Sequence, residues 1–129
     1  MGMARARIDV ADGVAAVTSA VGPGADRATQ RTAVRYTLQL LVERAPGHSV
    51  EVRVPPFAAV QAVPGPTHRR GTPSAVVEMD AATWLALATG ALAWDRARAQ
   101  GRIRASGERA DLSGWLPLLT APDQPQPGP

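Results

Sequence analysis

Residues 31–54 read RTAVRYTLQLLVERAPGHSVEVRV, and within this one stretch the hydrophobic period changes from that of a helix to that of a strand. Val34, Leu38, Leu41, Val42 and Ala45 share one helical face, while Arg31, Arg35, Gln39 and Glu43 sit at successive i+4 steps on another. Pro46-Gly47 stops the helix, because a residue before proline avoids helical geometry. From His48 onward Val50, Val52 and Val54 alternate with Ser49, Glu51 and Arg53, as a strand with one buried and one wet face requires. An amphipathic helix running straight into an alternating strand predicts that both element types share one core.

Upstream, Asp26 is placed to cap this helix, which extends to Ala45. Asp9 is placed to cap an earlier helix over 9–20, with Val10, Val14, Val17 and Val21 as its apolar face and Gly13 as a weak point. Downstream, Pro55-Pro56 turns the chain into strands predicted over 57–63 and 75–79, separated by a loop over 64–73. Strands so closely connected favour an antiparallel meander. Asp80 then caps a helix carrying Trp84, Leu85, Leu87 and Ala88, closed by Gly90, and a further helix spans 91–100. Arg102, Ile103, Arg104 and Ala105 alternate as a short late strand with both arginines outside, and a last helix over 108–116 packs Leu112, Trp115 and Leu116 before Pro117. The fold class is α+β, with an antiparallel sheet of about four to five strands and helices on one face.

The chain has 129 residues, 45% of them hydrophobic, which suits one domain over 1–120. The tail, 121–129, holds four prolines in nine residues and is expected to be disordered. Aromatic residues make up only 4%, so the core is built from Ala, Val and Leu and has room for a cavity. Without cysteine there is no disulfide, thiol nucleophile or thiolate metal ligand. All 14 basic residues are arginine and 11 residues are acidic, so the net charge of +3 is no strong sign of nucleic acid as a partner. No apolar run reaches a membrane span, and Met1 to Arg5 begins no apolar signal stretch, so a cytoplasmic location without an integral membrane segment is expected.

Two segments carry a family likeness. Asp80-Ala-Ala-Thr-Trp84-Leu-Ala-Leu-Ala-Thr-Gly90-Ala-Leu-Ala-Trp94, followed by Gly101-Arg-Ile-Arg-Ala-Ser106-Gly107-Glu108, resembles the acidic cap, helix, glycine, helix and closing strand of the sterol carrier protein type 2 family. Thr32 to Leu41 and Ser49 to Gln61 resemble its short, stand-alone bacterial branch, and the likeness covers roughly residues 8–119. The resemblance implies a twisted antiparallel sheet with helices on one face and, in several members, an apolar tunnel for sterols, fatty acids or fatty acyl-coenzyme A. The chain departs from it in its Pro-rich tail, which has no peroxisomal tripeptide, and in the Ala-rich core, where nothing marks a dedicated tunnel. Related domains also close mycothiol-dependent maleylpyruvate isomerase-like proteins, but the helical domain that carries their histidine metal site is not expected here.

Few residues offer chemistry. His48 and His68 stand apart with no carboxylate at ligand spacing, so no metal and no cofactor is expected. His68, Arg69 and Arg70, in a loop with Gly65 and Gly71, could hold an anion through guanidinium forks and free amides, although a solvated hairpin loop is the simpler reading. Arg96, Arg98, Arg102 and Arg104 form the densest basic run, yet no aromatic lies among them to stack a base, so a solvated helix end and strand face is the simpler reading. Ser106 and Ser113 have no neighbouring histidine, and no acid, base and nucleophile can be grouped, so an enzyme is not expected.

Two functions remain. One is a non-catalytic carrier of an apolar or lipid-like molecule, its ligand lined by Val34, Leu38, Leu41, Trp84, Leu87, Trp94, Leu112, Trp115 and Leu116. The other is a cavity-free interaction module that docks on a protein partner or on a second copy, using Glu51, Arg53, Arg102 and Arg104 on the wet sheet face or the sheet edge.

Overall fold

The computed structural model describes residues 6–66, 73–107 and 110–119. Helix α1 covers Val10–Ala20 and α2 Arg27–Arg44; strands β1, β2 and β3 cover Val50–Val54, Ala58–Ala62 and Ala75–Glu78. Helices α3, Ala81–Thr89, and α4, Trp94–Ala99, precede strand β4, Arg104–Gly107. The class is α+β, as the change of period at residues 45–50 requires.

Three helices start on an aspartate, each by the same bond. Asp9, Asp26 and Asp80 accept the backbone N–H three residues on, from Asp12, Thr29 and Thr83, each at 2.8 Å. Gly90, at φ 83°, ends α3 in the left-handed region that favours glycine. The chain from 91 to 93 is not helical, so α4 begins later than the expected residue 91, at Trp94. Only a 3₁₀ turn at Ser113–Trp115 forms where a helix over 108–116 was expected, and 108 and 109 lie outside the described residues. Gly114 and the nearby Pro117 leave too little helix-forming chain there.

The sheet has four strands in the order β2-β1-β3-β4. β2 pairs antiparallel to β1, and β4 antiparallel to β3. β1 and β3 are parallel, with Val50 opposite Ala75 and Val52 opposite Val77, so the sheet is mixed and the expected antiparallel meander is corrected. Proximity in sequence favours antiparallel neighbours, but the connection over 63–74 is long enough to carry the chain back past β1. Register places Val50, Val52, Val54, Ala75 and Val77 on one face, all at 2% exposure or less, where the helices cover them.

On the opposite face Glu51, Arg53, Glu78 and Arg104 form a ladder across three strands. Arg53 Nη2 is 3.1 Å from Glu51 Oε1, Arg53 Nη1 is 3.9 Å from Glu78 Oε1, and Arg104 Nη1 is 4.0 Å from Glu78 Oε2. Two cations and two anions thus neutralise one another on the wet face.

The helical layer is built from the α2 stripe and α3. Val34, Leu38 and Leu41 are buried as expected, together with Ala33, Tyr36 and Thr37, whereas Val42 is half-buried. α1 packs along α2 through only part of the expected valine face: Val17 is buried and Val14 half-buried, but Val10 and Val21 are 60% and 50% exposed, and Gly13 is buried as well. A Cβ built at Gly13 would fall inside contact distance of the Tyr36 ring, so the glycine is what allows the two helices to close.

Candidate functional site

Of the nine apolar side chains expected to line a ligand, four are committed to the core. Val34, Leu41, Trp84 and Leu112 have no exposed surface. Trp84 is fixed further by its indole N–H, which donates to Thr37 Oγ1 at 2.7 Å, and Thr37 Oγ1 in turn donates to Ala33 O at 2.8 Å. This satisfied polar chain makes Trp84 a pillar between α3 and α2.

Three others meet. Leu87 from α3, Trp94 from α4 and Leu116 from the C-terminal segment line one cleft of about 380 Å3, open to solvent on one side. Gly90, Leu92, Ala93 and Pro117 complete its apolar wall, and Asp95 and Ser113 stand at its polar margin. Leu38 lines a second cleft between α2 and β2, and Trp115 is half-buried and lines neither.

The wall made by the C-terminal segment is fastened from two sides. Arg44, in the last turn of α2, donates to Pro117 O at 2.7 Å, Leu118 O at 3.0 Å and Trp115 O at 3.3 Å. Ala88 O, in α3, accepts from the N–H groups of Leu118 at 2.8 Å and Leu119 at 3.1 Å. One guanidinium thus holds three carbonyls of a segment with almost no helix of its own. Nothing in the sequence marks Arg44 for this task, since a cation at a helix C-terminus is ordinary.

The remaining candidates do not gather at this cleft. His48 Nδ1 lies 3.0 Å from Gln61 Oε1 on the exposed surface. Arg102 Nε donates to Thr83 Oγ1 at 3.0 Å, Arg104 belongs to the sheet ladder, and Arg96 and Arg98 are exposed on α4. His68, Arg69 and Arg70 lie outside the described residues. Among the described residues no group of three or more His, Asp or Glu is placed to hold a metal ion, and no helix is long and apolar enough to cross a membrane.

Two carboxylates near these features, Asp80 and Asp111, ionise more readily than usual. Asp80 is held below the ordinary range because it accepts the Thr83 N–H, and the Thr83 hydroxyl and Arg102 add to this. Asp111 is lowered by its hydrogen bonds with Ser113, where its carboxylate accepts the backbone N–H at 2.8 Å and so steadies the turn entering the cleft wall.

A family model described as "Bacterial SCP ortholog" matches residues 26–118. The chain belongs to this bacterial sterol carrier protein-like family. The match begins at the Asp26 cap of α2 and ends at Leu118, so it takes in all four strands, both walls of the 380 Å3 cleft and Arg44, and leaves α1 outside. No curated protein matches the chain.

Proposed function

We propose that this member of the bacterial SCP ortholog family is a non-catalytic binding domain that takes an apolar, lipid-like ligand, fatty acyl or sterol-like, in the cleft bounded by Leu87, Trp94 and Leu116. The observation that carries the reading is the meeting of these three side chains, from three separate elements, around one cleft. A volume of about 380 Å3 falls near the lower end of the roughly 300–1,000 Å3 of small-molecule sites, which suits one chain or one compact ring system. Among the described residues the only ionisable group lining it is Asp95. A carboxylate held there favours a ligand whose near end is neutral and can donate a hydrogen bond, such as a hydroxyl, over one ending in an anion.

Native mass spectrometry after incubation with a panel of fatty acids, fatty acyl esters, alcohols and sterols tests the reading. Ala93 is exposed at the cleft margin, so Ala93→Phe should fill the cleft and abolish uptake without unfolding the chain. No adduct across the panel, or uptake by A93F equal to that of the wild type, overturns it.

A further inference from the structure

The two edges of the sheet are built differently. β4 ends the sheet with Arg104, a Ser-Gly pair and only four residues, features that discourage another strand from pairing. β2, at the other edge, reads Ala-Ala-Val-Gln-Ala and contains no charge, proline or bulge. Arg53 O accepts from Met79 N–H on the β3 side and Val54 O from Phe57 N–H on the β2 side, so with the one-to-one register the N–H and C=O groups of residues 58, 60 and 62 are directed toward β1. Those of Ala59 and Gln61 therefore point outward, and their backbone groups have no hydrogen-bond partner among the described residues.

Beside this edge runs a second anomaly. Arg27, Arg31 and Arg35 stand at i+4 steps on α2, with no acidic residue in the helix's first turn and no ion pair to any of them among the described residues. Like charges at this spacing, and cations at a helix N-terminus, both oppose the helix. The next two steps of the row are occupied: Gln39 holds both the N–H and C=O of Ile8 at 2.9 Å, and Glu43 grips Arg7 through two bonds. The arginines also border the edge. Arg35 lines the same 320 Å3 groove as Ala58 and Val60, and Arg27 stacks 5.6 Å over the ring of Phe57.

From this juxtaposition we infer that the β2 edge is a docking site for an extended, acidic peptide segment of a partner protein, which adds as a fifth strand with its carboxylates against Arg27, Arg31 and Arg35. Main-chain bonds to Ala59 and Gln61 supply the pairing, and the arginine row selects the sign of charge. A second copy of the chain is the poorer occupant, because edge-to-edge pairing about a two-fold axis sets one arginine row against the other. This site is separate from the cleft at Leu116, and either can fail without the other.

The probe is a labelled octapeptide of alternating Glu and Val, compared with its Lys–Val counterpart by fluorescence anisotropy on the full chain. The Glu–Val peptide should bind, weaken with added salt, and shift the backbone amides of residues 58–62; the Lys–Val peptide should not bind. The triple variant R27Q/R31Q/R35Q changes only side chains at the surface or its margin and should weaken binding by roughly tenfold or more. Ala59→Pro, on an edge strand at a position whose N–H faces solvent and where proline is tolerated, removes one outward donor and should weaken binding of a chain that still melts cooperatively. Equal binding of the two peptides, amide shifts that avoid β2, or an unaffected triple variant overturns the inference. So does a wild-type dimer, paired through β2, that the triple variant leaves intact. Arginine-dependent binding to anionic phosphatidylglycerol vesicles without binding of the Glu–Val peptide also overturns it, in favour of a membrane surface.

Discussion

Gly13 opposes its own helix, since a glycine in a helix interior costs about 1 kcal/mol relative to alanine. Its surroundings reverse the usual remedy, because a methyl group there would press on Cγ, Cδ1 and Cδ2 of Tyr36. Overpacking of a closed interior typically costs about 1–3 kcal/mol, so Gly13→Ala should be a net loss of up to about 2 kcal/mol despite its better propensity. Chemical denaturation measures this, and a more stable G13A would show that α1 slides freely on α2. Thr37 presents a different case. Thr37→Val keeps the shape but leaves the buried Trp84 N–H without an acceptor, at about 1–3 kcal/mol. Adding Trp84→Phe to T37V should then cost less than W84F alone, because no indole donor remains to be stranded; strictly additive losses in the cycle would refute the coupling.

At the scale of elements, the Asp80 cap gives a pH signature. Its folded-state pKa is depressed, so the stability it contributes is full above the ordinary carboxylate value of about 3.9 and is lost as pH falls through the lower folded value. Asp80→Ala should cost about 1 kcal/mol at pH 7, whereas Asp80→Asn should retain most of the cap yet flatten the loss of stability between about pH 5 and pH 2. Melts across that range distinguish the two, and an unchanged acid slope in D80N would rule out the cap as its source. The C-terminal segment gives another test. Arg44→Gln should release the carbonyls of 115, 117 and 118 at a global cost of about 1 kcal/mol, because the guanidinium is partly exposed, while amide exchange at Leu118 and Leu119 accelerates well beyond that of the core. Uniform acceleration across the chain would mean that the segment is not separately fastened.

These elements also show what was legible in advance. Asp26 and the valines at 50, 52 and 54 announce α2 and β1 because capping and alternation are local rules. The α1 face was read only in part, through Val14 and Val17, because a periodic count also rewards Val10 and Val21 and penalises Gly13, while the contact with Tyr36 is set by a helix that follows it. The parallel β1–β3 pairing was hidden for the same reason, since no local feature of 75–78 says which edge of β1 it will reach. Among the ligand candidates, size and hydrophobicity selected Leu87, Trp94 and Leu116 together with four pure core residues. A buried pillar and a cleft wall are made of the same side chains, and only the closing of the C-terminal segment separates them.

For the whole molecule, a ligand that occupies the cleft in the folded state alone must raise the melting temperature by mass action. At a free concentration one hundred times Kd the gain is about 2.7 kcal/mol, which corresponds to roughly 8–15 °C for a domain of this size. A neutral long-chain alcohol should produce this shift in the wild type and none in A93F, as read by calorimetry. A shift of equal size in both would place the ligand elsewhere.

The strand order has one more consequence, which concerns the chain as it is made. β1 and β2 can form their hairpin once residue 62 has emerged, but the other side of β1 waits for residues 75–78. At about 5–20 residues per second, that gap leaves a valine-rich strand half-paired for on the order of one to three seconds on every nascent chain. Glu51 and Arg53 then serve as gatekeepers, because a charge at every second position discourages another nascent chain from taking the place reserved for β3. Once β3 and β4 are in place Arg53 keeps Glu51 and adds Glu78, which also meets Arg104, and that protection is no longer needed.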